Sequence, residues 1–346
     1  GRRRIASTAR PRRGGRSPSR TSTRIRSPVP RLTGSRSQGD KLADFAAPKG
    51  IAAIAIDAVF HGEHPAGSAK SLGGVFGFFG VDVATLSFDF LRLRDNFRES
   101  TFESLQLIEA IRRHPDVDGD GQADFDPQAL GYLGVSLGGI MGPALLALSG
   151  ELHGAVLSVP GGKTTSIIES SDQFKPIITA FKPDNSSDGD VARFFCVLQT
   201  LIDAGDAASY APHVLRDRLE GAGTKAPEVL IQMAMADDIV PNVATRALIR
   251  ALGVPVVGPV LQSVGIVEEG VPLPVQANIQ GSTGGAFQFD RVRKNSGAKV
   301  EKADHSGTPA CFEAMTQDLH FFETWLSSGH GEIIDPYLAT GTGPLP

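Results

Sequence analysis

Cysteine is scarce in this chain, and so are tryptophan and tyrosine: 346 residues include two Cys, one Trp and three Tyr. Cys196 and Cys311 stand in no C-x-x-C or metal-type spacing, which argues against a redox motif and a thiolate metal site. Two buried free thiols are expected, with a single bridge between them as the alternative. No apolar run approaches the length that spans a bilayer, so the chain reads as a soluble protein. Acid is missing from residues 1–39, which hold twelve arginines, so the formal charge of −4 hides a remainder with 22 basic against 38 acidic groups.

That Arg/Ser/Pro-rich tract, 1–39, also has few large apolar side chains. It is expected to be disordered, because nothing in it offsets the entropy of ordering. It has no aromatics to stack on bases and no apolar face to enter a bilayer, so no nucleic-acid partner is expected, and membrane contact only through substrate. The apolar stretch of a secretory leader is absent too, and the chain opens at Gly1, so its natural beginning is expected upstream.

The remainder, 40–346, alternates strands with helices. Ile51–Asp57 reads as a strand, Ser71–Gly80 as a glycine-rich loop, and Asp95–Arg113 as a helix with Phe97, Phe102, Leu105, Ile108 and Ile111 at helical spacing. Further strands are expected at Leu130–Val135, Ala155–Val159, Glu228–Ala234 and Ala298–Ala303. Helices are expected at Ile140–Ser149, Val243–Leu252 and Ala310–Leu326. Alternation of this kind implies a mostly parallel, doubly wound sheet. Two stretches interrupt it: an insertion at about 160–221, whose apolar helical segments suggest a cap, and an irregular excursion at 255–285.

Chemistry centres on Gly134-Val-Ser136-Leu-Gly138. A serine on a sharp strand-to-helix turn needs neighbours without side chains, and the turn places the Leu137 backbone N–H at a helix N-terminus, where an oxyanion can be held. A serine hydroxyl needs a histidine to take its proton and a carboxylate to orient that histidine. Asp237 lies at the C-terminal end of the Glu228–Ala234 strand, with Asp238 as understudy and helix capping as the competing role. Of eight histidines, His305 comes directly after the expected last strand. His320 reads as a packing residue, and His114, His153, His213 and His330 as surface or loop positions.

Asp57-Ala-Val-Phe-His61-Gly62-Glu63, Arg94-Asp95-Asn96-Phe-Arg98, Gly134–Ile140, Asp237–Pro241 and His305 together resemble bacterial extracellular lipases and esterases of the α/β-hydrolase fold, of the surface-lipoprotein or virulence-associated type, over about residues 32–328. The resemblance implies a Ser136–His305–Asp237 triad, hydrolysis of small-molecule or lipid carboxylic esters, a cap over an apolar acyl pocket, and an extracellular or cell-surface location. Arg94 and Asp95 are read as tying helix to sheet, and His61-Gly62 as loop architecture. In such enzymes a strand ending in His-Gly supplies a second oxyanion donor. Here Leu32–Arg36 resembles the segment just after that dipeptide, but Pro30 and Arg31 occupy the dipeptide's place. The N-terminal strands are therefore expected to be missing or replaced, through loss of that edge or a frame error in GC-rich DNA. This departure sustains one rival, a catalytically inactive binding or surface protein; a peptidase or thioesterase using the same triad is another.

Asp116-Val-Asp118-Gly-Asp120-Gly121-Gln-Ala-Asp124-Phe-Asp126 places carboxylates at positions 1, 3, 5 and 9 of a calcium loop, with glycine at 6. Pro127 replaces the glutamate of position 12, and Asp126 is its candidate substitute. Structural Ca²⁺ on Asp116, Asp118, Asp120 and Asp124 is expected; no organic cofactor is.

Overall fold

A strand can carry apolar side chains on both faces only when both are covered, and Glu228–Ala234 shows how that is met here. Val229, Ile231 and Met233 join one hydrophobic cluster, while Leu230 and Ala234 join a second on the opposite face. The computed structural model describes residues 24–29 by their backbone, then 35–67, 76–82, 84–85, 87–293 and 299–345.

In chain order the elements are β1 (Arg24–Val29), α1 (Gly39–Ala46), β2 (Ile51–Ala53), β3 (Val81–Asp82), β4 (Ser87–Phe88), α2 (Phe90–Arg113), β5 (Leu130–Val135), α3 (Leu137–Leu148) and β6 (Leu152–Ser158). Then come α4 (Thr164–Ser170), α5 (Lys175–Phe181), α6 (Asp188–Ile202), α7 (Ala207–Tyr210), α8 (Pro212–Leu215), β7 (Glu228–Ala234) and α9 (Asn242–Leu252). The chain continues through β8 (Val256–Val257), β9 (Glu269–Val271), β10 (Gly284–Phe289), β11 (Arg291–Arg293), β12 (Val300–Lys302), α10 (Phe312–Ser328) and α11 (Pro336–Thr340). Eight strands form one sheet in the order β2-β1-β5-β6-β7-β10-β8-β9, every neighbouring pair parallel. Residues of α2, α3, the inserted helices and α9 pack on one face, and those of α1, α10 and α11 on the other. This is the doubly wound α/β class expected, with an insertion of five helices, α4–α8, between β6 and β7.

Three expectations need correction. Residues 24–29, placed in the disordered tract, form β1, which pairs Arg24–Arg26 with β2 and Ile25–Val29 with β5; arginine and proline mask a strand whose partners lie far along the chain. Residues 1–23 and 30–34, including Pro30 and Arg31, lie outside the described residues, as do 71–75 of the glycine-rich loop. The stretch 255–285 is not wholly irregular, because it carries β8, β9 and the start of β10. β10 is the strand beside β7, whereas residues 300–302 pair only with β11 in a separate two-stranded sheet. The Gly284-Gly285 pair lowers strand propensity but is required by packing: a Cβ on Gly284 would lie 2.5 Å from Ile279 Cδ1 and one on Gly285 2.8 Å from Ile333 Cδ1.

Smaller shifts have local causes. The helix expected from Asp95 begins at Phe90, because Asp89 accepts the Arg92 N–H and caps it. Arg94 and Asp95 pair with each other at 2.8 Å; the link from α2 to residues 76–78, which are helical where a glycine-rich loop is expected, is made by buried Asn96, whose Nδ2 donates to the Phe78 carbonyl. Both cysteines are free, but only Cys311 is buried; Cys196 lies on the exposed side of α6. His320 is half-buried and meets Glu332 at 2.7 Å. No helix among the described residues is long and apolar enough to cross a membrane.

Candidate active site

β5 delivers Ser136 to the C-terminal edge of the sheet, where the chain must reverse into α3. Ser136 takes φ 56° and ψ −115°, a left-handed conformation that a non-glycine residue adopts only under constraint. The constraint is visible in its neighbours. The Ser136 N–H donates to the Ser158 carbonyl at 2.9 Å, and the Ile140 N–H to the Ser136 carbonyl at 2.9 Å. A Cβ on Gly134 would stand 2.5 Å from the Gly138 carbonyl oxygen and 2.7 Å from Tyr132 Cε1, and one on Gly139 2.9 Å from Pro160 Cβ. Strand, turn and helix therefore meet at backbone contact. Gly134→Val is expected to destabilise the fold by about 1–3 kcal/mol through this overpacking, measurable as a lower midpoint in urea unfolding.

Tyr132, fully buried beneath the turn, donates its hydroxyl to the Gly138 carbonyl at 2.6 Å; burial raises its pKa above that of a free phenol. Motif reasoning misses this residue, although a tyrosine four residues before the serine on a buried strand must find a partner for its hydroxyl.

His305 Nε2 lies 2.7 Å from Ser136 Oγ, and His305 Nδ1 lies 2.8 Å from each oxygen of Asp237. A carboxylate only accepts, so Nδ1 carries the proton and Nε2 accepts from the serine hydroxyl. The His305 and Asp237 side chains are 4% and 1% exposed, so this relay runs out of bulk water. Asp237 Oδ1 also accepts the N–H groups of Ile239 and Val240 at 3.0 and 2.7 Å, which fixes the carboxylate plane. Ala236 donates its N–H to the Ala303 carbonyl and bridges to Asp304, holding the acid loop against the histidine loop. Asp304 then folds the histidine loop by accepting the Gly307 N–H at 2.6 Å. Asp238 is exposed and outside this relay, and helix capping is not the role of either acid, since Pro241 occupies the N-cap of α9. Leu137 opens α3, whose first N–H groups have no acceptor within the helix.

His61-Gly62 belongs to loop architecture, as its sequence position suggested. Asp57 accepts the N–H groups of Arg36 and Glu63 at 2.6 and 3.0 Å and pairs with the Arg36 guanidinium. Gly62 sits on this carboxylate with φ +53°, where any side chain would collide with it. His61 is fully buried with Nδ1 2.8 Å from the Val59 carbonyl, and desolvation lowers its pKa.

Helices α4, α5 and α6 of the insertion, with β3, β4 and the start of α2, enclose an apolar cavity of about 370 Å³. Phe79, Phe88, Phe174, Ile178, Phe181 and Phe194 form much of its wall, and no triad residue lines it. α4 joins the two regions: Ile168 faces the cavity, while Ile167 packs within reach of Gly161, which also abuts Val240 of the acid loop.

Away from this edge, oxygens of Asp116, Asp118 and Asp120 lie within 4.8 Å of one another. Gly119 and Gly121 take φ +79° and +88°, and their N–H groups donate to Asp116. Asp124 stands outside this group and accepts the Val117 N–H at 2.8 Å, while Asp126 accepts the Gln128 N–H at 2.9 Å.

No protein-family model matches the sequence, and no curated protein matches it. Solved structures do. An acetyl xylan esterase from Paenibacillus sp. R4 is 15% identical with a TM-score of 0.51, covering 89% of this chain and 76% of that one. TT1662 from Thermus thermophilus is 17% identical with a TM-score of 0.48, covering 89% of this chain and 91% of that one. Acetyl xylan esterase 1 from Thermoanaerobacterium sp. JW/SL YS485 is 16% identical with a TM-score of 0.46, covering 73% and 68%. The parallel sheet, its covering helices and the first of these likenesses show an α/β-hydrolase fold.

Proposed function

We propose that this chain is a serine hydrolase that cleaves carboxylic esters, with Ser136 as nucleophile, His305 as general base and acid, and Asp237 as orienting carboxylate. The observation that carries the reading is the unbroken hydrogen-bonded path from Ser136 Oγ through His305 to Asp237. Ser136 attacks the acyl carbon as His305 Nε2 takes its proton, and Asp237 stabilises the imidazolium that forms. The negative charge moves to the former carbonyl oxygen, for which the Leu137 N–H is a donor at the positive end of α3. Collapse expels the alcohol, protonated by His305, and leaves an acyl-serine. Water, deprotonated by the same imidazole, then releases the acid.

The apolar cavity in the cap supports an ester with an apolar acyl portion, while the leaving group is set by the pocket, because the same His305 can protonate an alcohol, an amine or a thiol. A panel of p-nitrophenyl butyrate, its p-nitroanilide and its thioester tests this. Fastest turnover of the oxygen ester is expected. Turnover of the anilide alone would reassign the chain to the peptidases, and turnover of the thioester alone to the thioesterases.

We also propose that Asp116, Asp118 and Asp120 hold a structural Ca²⁺. Three hard oxygen donors on a loop opened by two left-handed glycines suit that ion, and its charge would relieve their repulsion. With a millimolar-range site, excess Ca²⁺ is expected to add on the order of 1 kcal/mol, a rise of a few degrees in Tm. Asp118→Ala should abolish the rise. An unchanged Tm in the parent protein with Ca²⁺ or chelator would refute the site.

A further inference from the structure

The helix that carries the oxyanion donor has few restraints of its own. Its first two turns contain Gly138, Gly139 and Gly142, which have low helix propensity, and Pro143, which has no N–H to give to the Gly139 carbonyl. A turn built this way must be held from outside. Tyr132 holds it from below: a Cβ on Gly134 would stand 2.7 Å from Tyr132 Cε1 and one on Gly142 3.0 Å from the same atom, so the ring fills the space that these glycines leave between β5 and α3. The ring thus sets how far α3 stands from the strand. The Tyr132 hydroxyl, donated to the Gly138 carbonyl at 2.6 Å, sets how the helix is turned, and burial raises the pKa of the phenol, which keeps it a donor. From the side, Pro160 Cβ lies 2.9 Å from where a Cβ on Gly139 would stand, and the Pro160 carbonyl is itself fixed by the Thr245 hydroxyl at 2.7 Å. Between them, the tyrosine and the proline leave the first turn of α3 one position.

We propose that Tyr132 is a positioning residue for the oxyanion step: by fixing the Gly138 peptide it holds the adjoining Leu137 N–H where the acyl oxygen gains its charge. The proposal rests on the hydrolase reading and adds a residue whose hydroxyl bonds to the helix turn and not to the triad. A donor to an oxyanion is effective only over a narrow range of distance and angle, and a misplacement of about 1 Å costs on the order of a hundredfold in rate. The uncharged carbonyl of the bound ester has far less to lose. Loosening Tyr132 therefore acts on kcat and spares KM. The proton relay is spared too, because Asp237 and the His305 loop are fixed by the Ile239, Val240 and Gly307 N–H groups, none of which belongs to α3.

Tyr132→Phe keeps the ring and removes the hydrogen bond. It is expected to lower kcat for p-nitrophenyl butyrate about tenfold or more while KM stays within about twofold. The second readout is inhibition by a butyl trifluoromethyl ketone, to whose carbonyl carbon Ser136 Oγ adds as His305 takes the proton, leaving the former carbonyl oxygen as an oxyanion. Its Ki should rise by a factor matching the fall in kcat. A merely structural role would lower the urea midpoint and leave kcat per folded molecule and Ki at parental values. Gly142→Ala pushes on the same ring from α3 with the hydroxyl present, and is read by the same two numbers if Tyr132→Phe no longer unfolds cooperatively. Parental kcat in the folded variant, or a lower kcat with parental Ki, overturns the proposal and leaves the hydrolase reading standing. A parent protein that neither turns over the ester nor binds the ketone overturns the hydrolase reading, and the proposal with it.

Discussion

Ser136→Ala is expected to lower kcat for p-nitrophenyl ester hydrolysis by about a thousandfold or more, because it removes the oxygen that His305 Nε2 activates by direct contact. The fold should survive, since Ser136 is placed by its backbone: its N–H and carbonyl bonds to Ser158 and Ile140 do not involve the hydroxyl. An alanine at φ 56° is no more strained than the serine it replaces. Near-identical urea midpoints with collapsed turnover would be the signature of lost chemistry; parental turnover would refute the nucleophile assignment.

Asp237→Asn is expected to cost a comparable amount, about ten-thousandfold in kcat, for a different reason. The native carboxylate only accepts, which forces the proton onto His305 Nδ1 and leaves Nε2 free to receive the serine proton. An asparagine can present its NH₂ to Nδ1, and the imidazole then carries its proton on Nε2, facing Ser136, where it cannot act as a base. The Ile239 and Val240 N–H groups accepted by Asp237 Oδ1 favour this outcome, since they hold the carbonyl oxygen of an asparagine and turn its NH₂ towards the ring. Single-turnover kinetics should show slow acylation with substrate binding preserved. A loss confined to KM would instead mean that Asp237 shapes the binding surface and does not orient His305.

Features with a local cause were the legible ones. β7 is legible because five of its seven residues are apolar, as a strand covered on both faces allows, and the serine turn because Gly134 and Gly138 lie within two residues of the strain they permit. Asp237 and His305 could be placed because each comes after a strand, in a loop at the same sheet edge, although the strand before His305 is the small β12 and not a member of the main sheet. β10 escapes a sequence reading because its glycine pair lowers strand propensity, and the contact that requires Gly285, with Ile333, lies far outside any local window. β1 was hidden by its arginines and Pro28, and it is recognisable only by its register against β2 and β5. The cavity needed three inserted helices and a hairpin some eighty residues earlier to be brought together, so helical periodicity announced the insertion but not the space it encloses.

The catalytic reading depends on a serine hydroxyl made nucleophilic by the imidazole it touches. Reaction of the folded protein with a fluorophosphonate, then digestion and mass mapping, reads that property directly. One phosphonyl group on Ser136, absent when His305 is replaced by alanine, is the predicted result. Folded protein that stays unmodified, or that carries the label on a different residue, would contradict it.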